Sequence, residues 1–240
     1  MSEKVLLDAR GIYKHFGGFT ALDNVDMEVR QGERFGLIGP NGSGKTTMIN
    51  CISGVLKNDQ GTIDFNGRNL NGLKPSRRTE LRIARSFQIP RPFSTMTVVE
   101  NLGVPLEYVQ KVAPSDVRAQ AMEILDLIGM SDQADRRSDE LTQIDMRKLE
   151  LARAMAARPR LLISDEAMAG LSHSEVDDIL EILFKLNEGG ITIIMIEHIM
   201  RAVMKFTERI VVLDAGRKIA EGTPDEIVKD PNVERAYLGE

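Results

Sequence analysis

The sequence predicts an α/β fold: buried parallel strands around a phosphate-holding loop, interrupted by a helical lobe. Three observations predict it. "GPNGSGKTT" at 39–47 follows the apolar stretch "RFGLI" and precedes the helical stretch "KTTMINCIS". Two further apolar runs, "RLLISDE" (160–166) and "ITIIMIEH" (191–198), end in acids or a histidine. Such runs read as strands buried on both faces, with polar residues at their carboxyl ends, where α/β sheets place their ligands. From about 97 to 157 the apolar residues fall at helical spacing instead.

Taken in order, "ALDNVDMEVR" (21–30) reads as a strand that turns at Gln31-Gly32 into the buried strand before the loop. Gly54 closes the helix after the loop. "GTIDFNGR" (61–68) reads as one strand of a hairpin, with turns at Gly61 and Asn66-Gly67. In "PSDVRAQAMEILDLIG" (114–129), Val117, Ala121, Ile124, Leu125 and Ile128 share a helix face between Pro114 and Gly129. "RIVVLDAGRKIAEG" (209–222) predicts a terminal hairpin turning at Ala215-Gly216.

Composition narrows the function classes. Hydrophobic residues make up 42% and charged residues 28% of the 240 residues, as in ordinary globular domains, so one large domain with an inserted lobe is expected. The net charge is −5, from 31 Lys and Arg against 36 Asp and Glu, which argues against nucleic acid as a partner. With Cys51 as the single cysteine, no intrachain disulfide forms and a reducing compartment is the simple reading. "MSEKVLLDAR" lacks the apolar core of a signal peptide, and "ITIIMI" is far short of the roughly 20 residues that span a bilayer. A soluble chain is expected, reaching a membrane only through a partner.

The loop carries the first part of the chemistry. Gly39, Gly42 and Gly44 let the backbone approach phosphate, with Asn41, Ser43 and Thr47 in the same loop and helix start. Lys45 is placed to reach the β- and γ-phosphates of a nucleotide, and the Thr46 hydroxyl to hold Mg²⁺. Asp165, ending an apolar strand, suits a carboxylate that serves the metal through water. Glu166, next in line, can polarise an attacking water as general base. The bland alternatives are a glycine turn and a strand that ends in two solvated acids.

These stretches, together with "SFQIPRPF" (86–93), "DEAMAGLS" (165–172) and "MIEH" (195–198), come in the order found in ATP-binding-cassette ATPases. "ARSFQIPRPFSTMTVVENL", "EHIMRAVM" and "EGTPDEIVKDPNVERAYLGE" resemble one subgroup, the ATP-binding subunits of branched-chain amino acid importers. The resemblance implies a P-loop NTPase (RecA-like) core over 1–87 and 158–240, with an antiparallel β edge subdomain and a helical subdomain at 88–157. It implies ATP and Mg²⁺ as cofactors. The implied partners are two transmembrane permease subunits, a second related ATPase and, indirectly, an extracytoplasmic solute-binding protein. The implied place is the cytoplasmic face of the inner membrane.

By motif, Gln88 resembles the glutamine that contacts Mg²⁺ and the attacking water and senses the membrane partner. His198 resembles the switch histidine at the γ-phosphate; the alternative is a polar strand cap. Phe16, in "YKHFGG", resembles the aromatic that stacks on adenine, with Tyr13 as competitor and ordinary packing as the other reading. Ser172 falls in the loop that crosses between subunits. His15 and His173 read as surface residues, and Cys51 as a small core residue. "IPRPFSTM" (89–96) reads either as a docking surface for the membrane subunits or as a rigid linker packed on the helical lobe.

One motif departs from the family. Where Leu-Ser-Gly-Gly-Gln is expected, this chain has Leu141-Thr142-Gln143-Ile144-Asp145. Ile144 replaces a glycine whose backbone approaches phosphate across a dimer interface, and Asp145 adds a like charge beside a polyphosphate. A weak clasp is expected, and with it a heterodimer in which only the site on this chain's own loop turns over quickly. The other reading is that the glycine is dispensable and both sites hydrolyse. An export motor resembling lipopolysaccharide-extracting ATPases, a soluble non-transport cassette and a binding-only regulatory subunit are the rival functions.

Overall fold

The computed structural model describes residues 4–87 and 89–238. Among them two sheets form, and a helix lies between them. The first sheet is antiparallel, in the order β2-β1-β4-β5, from β1 (Val5–Phe16), β2 (Phe19–Arg30), β4 (Gln60–Phe65) and β5 (Arg68–Asn69). The second runs β10-β9-β3-β8-β7-β6. Its strands are β3 (Arg34–Ile38), β6 (Ile83–Ser86), β7 (Leu161–Asp165), β8 (Thr192–Ile196), β9 (Arg209–Asp214) and β10 (Arg217–Gly222). The pairs from β9 through β3, β8 and β7 to β6 are parallel, and β10 closes the edge antiparallel to β9.

The continuous apolar runs are explained by the packing. Along β8, Ile193 and Met195 enter one core and Ile194 and Ile196 the other, as the period of two requires. Helix α1 (Lys45–Ser53) fills the space between the sheets with Met48, Ile49 and Ile52, all fully buried. On the opposite face lie α6 (His173–Glu188) and α7 (Met200–Phe206). Both faces of the parallel sheet are thereby covered, so its strands have no room for polar alternation.

Between β6 and β7 the chain is helical. After the short α2 (Pro75–Glu80), which precedes β6, come α3 (Val98–Tyr108), α4 (Pro114–Leu127) and α5 (Gln143–Ala156). Thr97 and Glu100 form a capping box that starts α3. The lobe shares a core with the sheet's outer face, where Val98, Leu102, Ala121, Leu125 and Leu149 are buried. After the 209–222 hairpin come α8 (Pro224–Val228) and α9 (Pro231–Leu238), so the hairpin is not terminal.

The turns at Gly32, Asn66-Gly67 and Ala215-Gly216 all carry positive φ, as expected of tight turns. Gly61 does not turn the chain. It lies inside β4 with φ +85°, where a Cβ would sit 2.2 Å from the Gly11 carbonyl oxygen. Its role is the close approach of β4 to a bulge in β1 between Ala9 and Ile12.

Candidate active site

The phosphate loop runs from the end of β3 into the N-terminus of α1. Gly39, Gly42 and Gly44 have φ of +147°, +80° and +105°, in the region that disfavours side chains. A Cβ on Gly39 would overlap the Leu213 carbonyl oxygen at 2.0 Å, and one on Gly44 would press on the Ala21 carbonyl at 2.7 Å. The Met48 N–H donates to the Gly44 carbonyl, the first bond of the helix, so the N–H groups of Lys45, Thr46 and Thr47 precede the helical ladder. Asn41 is exposed at the loop's outer edge and Ser43 is buried beneath it.

Lys45 is buried with its ammonium inside the loop. It donates to the carbonyls of Gly39 (2.7 Å) and Pro40 (2.9 Å) and to Ser43 Oγ (3.4 Å). Burial lowers its pKa, while the charges of Glu166 and Asp165 pull it back up. Its acceptors are neutral oxygens, so a buried cation beside a helix N-terminus fits an anionic ligand. The donor set fits a nucleotide phosphate and its hard cation: a hydroxyl at Thr46 and a carboxylate at Asp165 line the same cleft.

β7 delivers the acids. Asp165 ends the strand with Oδ2 held by Arg85 at 2.5 Å. Glu166 is bent out of the strand at φ +48°, a left-handed conformation that costs a non-glycine residue about 1–3 kcal/mol. Its N–H donates to the Ile196 carbonyl at 2.9 Å, which pins the bend to the end of β8. Two residues on, His198 places Nε2 2.9 Å from Glu166 Oε1. Between them Glu197 is buried, accepting the Met168 N–H at 2.9 Å. Burial pushes its carboxyl up to about 7, with the Glu166 charge adding to the rise and Arg147 opposing it.

Phe16 is 47% exposed at the end of β1, with the Lys14 ammonium 5.4 Å from its ring centroid, open for a flat ligand rather than packed in a core. Tyr13 stacks on His15 instead. Gln88 lies outside the described residues. His15 and His173 are exposed, and Cys51 is fully buried with its thiol pushed up to about 11. Ser172 is the N-cap of α6, in a capping box with Glu175.

The departure at 141–145 has a local structural use. Thr142 is the N-cap of α5, accepting from the Asp145 N–H and donating to Asp145 Oδ2 at 2.6 Å. Ile144 packs half-buried against the core that the lobe shares with the sheet. The helix N-terminus is therefore capped by the chain's own Thr142 hydroxyl, which the Asp145 carboxylate holds in place.

Two residues at the site carried no signal in the sequence. Arg85 is one. The other is Tyr237 on α9, whose phenol lies against the Gly39 N–H, with burial raising its pKa. Only the fold brings these partners together.

Beside the cleft, Val55, Phe87, Ile89, Phe93 and Tyr108 are 41–71% exposed. The 91–96 segment is pinned to the helical lobe: Asn101 bonds the Phe93 backbone in both directions, and Arg153 donates to the Arg91 carbonyl. Among the described residues no helix is long and apolar enough to cross a membrane.

Comparison with known proteins gives the family and the fold. The ABC transporter family profile matches residues 22–169, and a profile for the branched-chain amino acid ATP-binding cassette transporter matches 217–240. The high-affinity branched-chain amino acid transport ATP-binding protein LivG of Salmonella typhimurium is 40% identical, with 98% of each chain covered. Its counterpart BraF of Pseudomonas aeruginosa is 36% identical over the same shares. A crystal structure of a nucleotide-free ATP-binding cassette from an ABC transporter superposes with a TM-score of 0.89 at 33% identity, covering 98% of this chain and all of that one. Another cassette, in its ADP conformation, gives 0.88 at 31% identity, covering 98% and 99%. The fold is that of an ATP-binding cassette, and the chain belongs to the ABC transporter family.

Proposed function

We propose that this chain is the ATP-hydrolysing subunit of an importer for branched-chain amino acids or related small polar solutes, working on the cytoplasmic face of the inner membrane. One observation carries the catalytic part: at the start of α1 and the ends of β7 and β8, Thr46 and Asp165 line one cleft, the Asp165 and Glu166 charges act on Lys45, and His198 bonds Glu166. The substrate class rests on the relatives, which are named as branched-chain amino acid transport proteins.

The nucleotide's phosphates lie along the loop glycines and Lys45, and Phe16 stacks on the adenine. Thr46 and Asp165, with Gln88, hold Mg²⁺, which neutralises charge on the phosphates when bound. Glu166 takes the proton of the attacking water. His198 orients Glu166 through their hydrogen bond. The strained backbone at Glu166 fixes where that carboxylate stands.

In this reading the core of 1–87 and 158–240 carries the nucleotide, and the 88–157 lobe carries the clasp. The exposed apolar rim at Val55, Phe87, Ile89, Phe93 and Tyr108 receives two transmembrane permease subunits. The second ATPase is a paralogue: its clasp completes this chain's site, while this chain's Thr142–Asp145 turn forms the weaker site. A solute-binding protein takes part from the far side of the membrane, and no nucleic acid does.

The test is co-purification. The Glu166→Gln chain, tagged and held closed with Mg-ATP in gently solubilised membranes, brings two multispanning proteins and a distinct ATPase of similar size. Recovery of the chain alone, or with ribosomes, overturns the transport reading.

A further inference from the structure

A nearly buried arginine that no catalytic step has used stands behind the proposed metal site. Arg85 lies on β6, and its side chain is 10% exposed. One arm of its guanidinium bonds Asp165 Oδ2 at 2.5 Å, and the other bonds Asn50 Oδ1 on α1 at 2.7 Å. Its Nε–H is buried and donates to nothing among the described residues. The guanidinium also lies 5.1 Å from the ring centroid of Phe87, which is half-exposed on the apolar rim. Thr46, Arg85, Phe87 and Asp165 all line one cleft.

We propose that Arg85 is a positioning residue for the metal-binding carboxylate. Clamped at Oδ2, Asp165 cannot turn its carboxyl plane, and Oδ1 is left as the oxygen that serves the cation beside Thr46. Asn50 steadies the clamp from the helix that carries Lys45 and Thr46, so the carboxylate and the phosphate loop keep a fixed separation. A mere fold pin would spend its donors on backbone carbonyls. Arg78 does so, bonding the carbonyls of Cys51, Ile52, Leu70 and Leu73. Arg85 spends its bonded donors on two side chains that flank the site. The planar fork matters as well as the charge, because one cation must serve two acceptors at once. This inference rests on the reading of Asp165 as the Mg²⁺ carboxylate.

The experiment measures ATP binding by the full-length chain in a Glu166→Gln background, in EDTA and across a Mg²⁺ titration, with thermal unfolding in parallel. Arg85→Gln is expected to raise the Mg²⁺ midpoint about tenfold or more, the usual cost of losing an outer-shell partner. ATP affinity in EDTA stays unchanged. Arg85→Lys falls between wild type and Arg85→Gln. Asn50→Ala, which loosens the clamp without removing the cation, raises the midpoint less, and it carries the test alone if Arg85→Gln fails to fold.

An unchanged midpoint in a folded variant overturns the proposal. A lowered midpoint does too, since Arg85 would then be competing with the metal. Asp165→Asn separates the two claims. If it raises the midpoint while the Arg85 and Asn50 variants do not, the clamp alone fails. If it leaves the midpoint unchanged, the assignment of Asp165 fails and the clamp falls with it.

Discussion

His198 holds Glu166 across the ends of two neighbouring strands: Nε2 stands 2.9 Å from Oε1, and the Glu166 N–H is bonded to Ile196 two residues before the histidine. In the proposed function the bond joins the base to the residue that orients it. It ties a left-handed residue just after β7 to the loop after β8, so neither side chain is placed by its own strand alone.

Glu166→Gln is expected to cut ATP turnover of the assembled complex by about a hundredfold or more, because a positioned general base contributes roughly 10²–10⁴. ATP binding persists, since Lys45 and the loop are untouched. His198→Ala lowers turnover as well, by freeing the carboxylate it orients. Steady-state hydrolysis and equilibrium ATP binding, measured on the same preparations, check both. Hydrolysis at the wild-type rate in Glu166→Gln removes it as the base.

Ile144→Gly with Asp145→Gln is expected to raise ATPase activity of the complex. The change takes a carboxylate from the N-terminus of α5 and restores backbone freedom next to it. Asp145 now bonds the Thr142 hydroxyl and lies in the first turn of α5, so the same change weakens the helix start by about 0.3–1 kcal/mol. Activity that stays flat while the complex remains assembled shows that the clasp was never limiting.

Glu197 predicts a pH dependence of stability. Its folded pKa of about 7 lies above the ordinary glutamate value of 4.5. Between those values the folded chain holds a proton that the unfolded chain has released, so stability falls as pH rises from about 4.5 to about 7. At about 1.4 kcal/mol per pH unit the full penalty is on the order of 3 kcal/mol. Glu197→Gln keeps an acceptor for the Met168 N–H and removes the penalty. It should unfold at a higher temperature than wild type at pH 8, and at nearly the same temperature at pH 5. Equal differences at both pH values would contradict the titration.

The site was legible in the sequence where chemistry is local. "GPNGSGKTT" carries its own turn glycines, and β7 and β8 announce themselves because burial on both faces leaves them continuously apolar. The 97–157 helices were legible from their period. β1 was not, since its bulge and the polar run Tyr13 to His15 break the alternation. β6 was not, because "IARS" is four residues long with an arginine in it, and that arginine is held inside by Asn50 and by Asp165, eighty positions away. Gly61 reads as a turn in sequence because the carbonyl it makes room for belongs to another strand. Tyr237 meets Gly39 only after the whole core has closed.

The most direct test of the import reading is solute uptake by the purified complex in proteoliposomes, with ATP on the side of this subunit and the solute-binding protein on the other. Radiolabelled leucine is expected to accumulate with the wild-type chain and to stay at background with Glu166→Gln. Leucine uptake that is indifferent to ATP and to Glu166, beside normal hydrolysis, would contradict an importer and leave an ATPase whose work lies elsewhere.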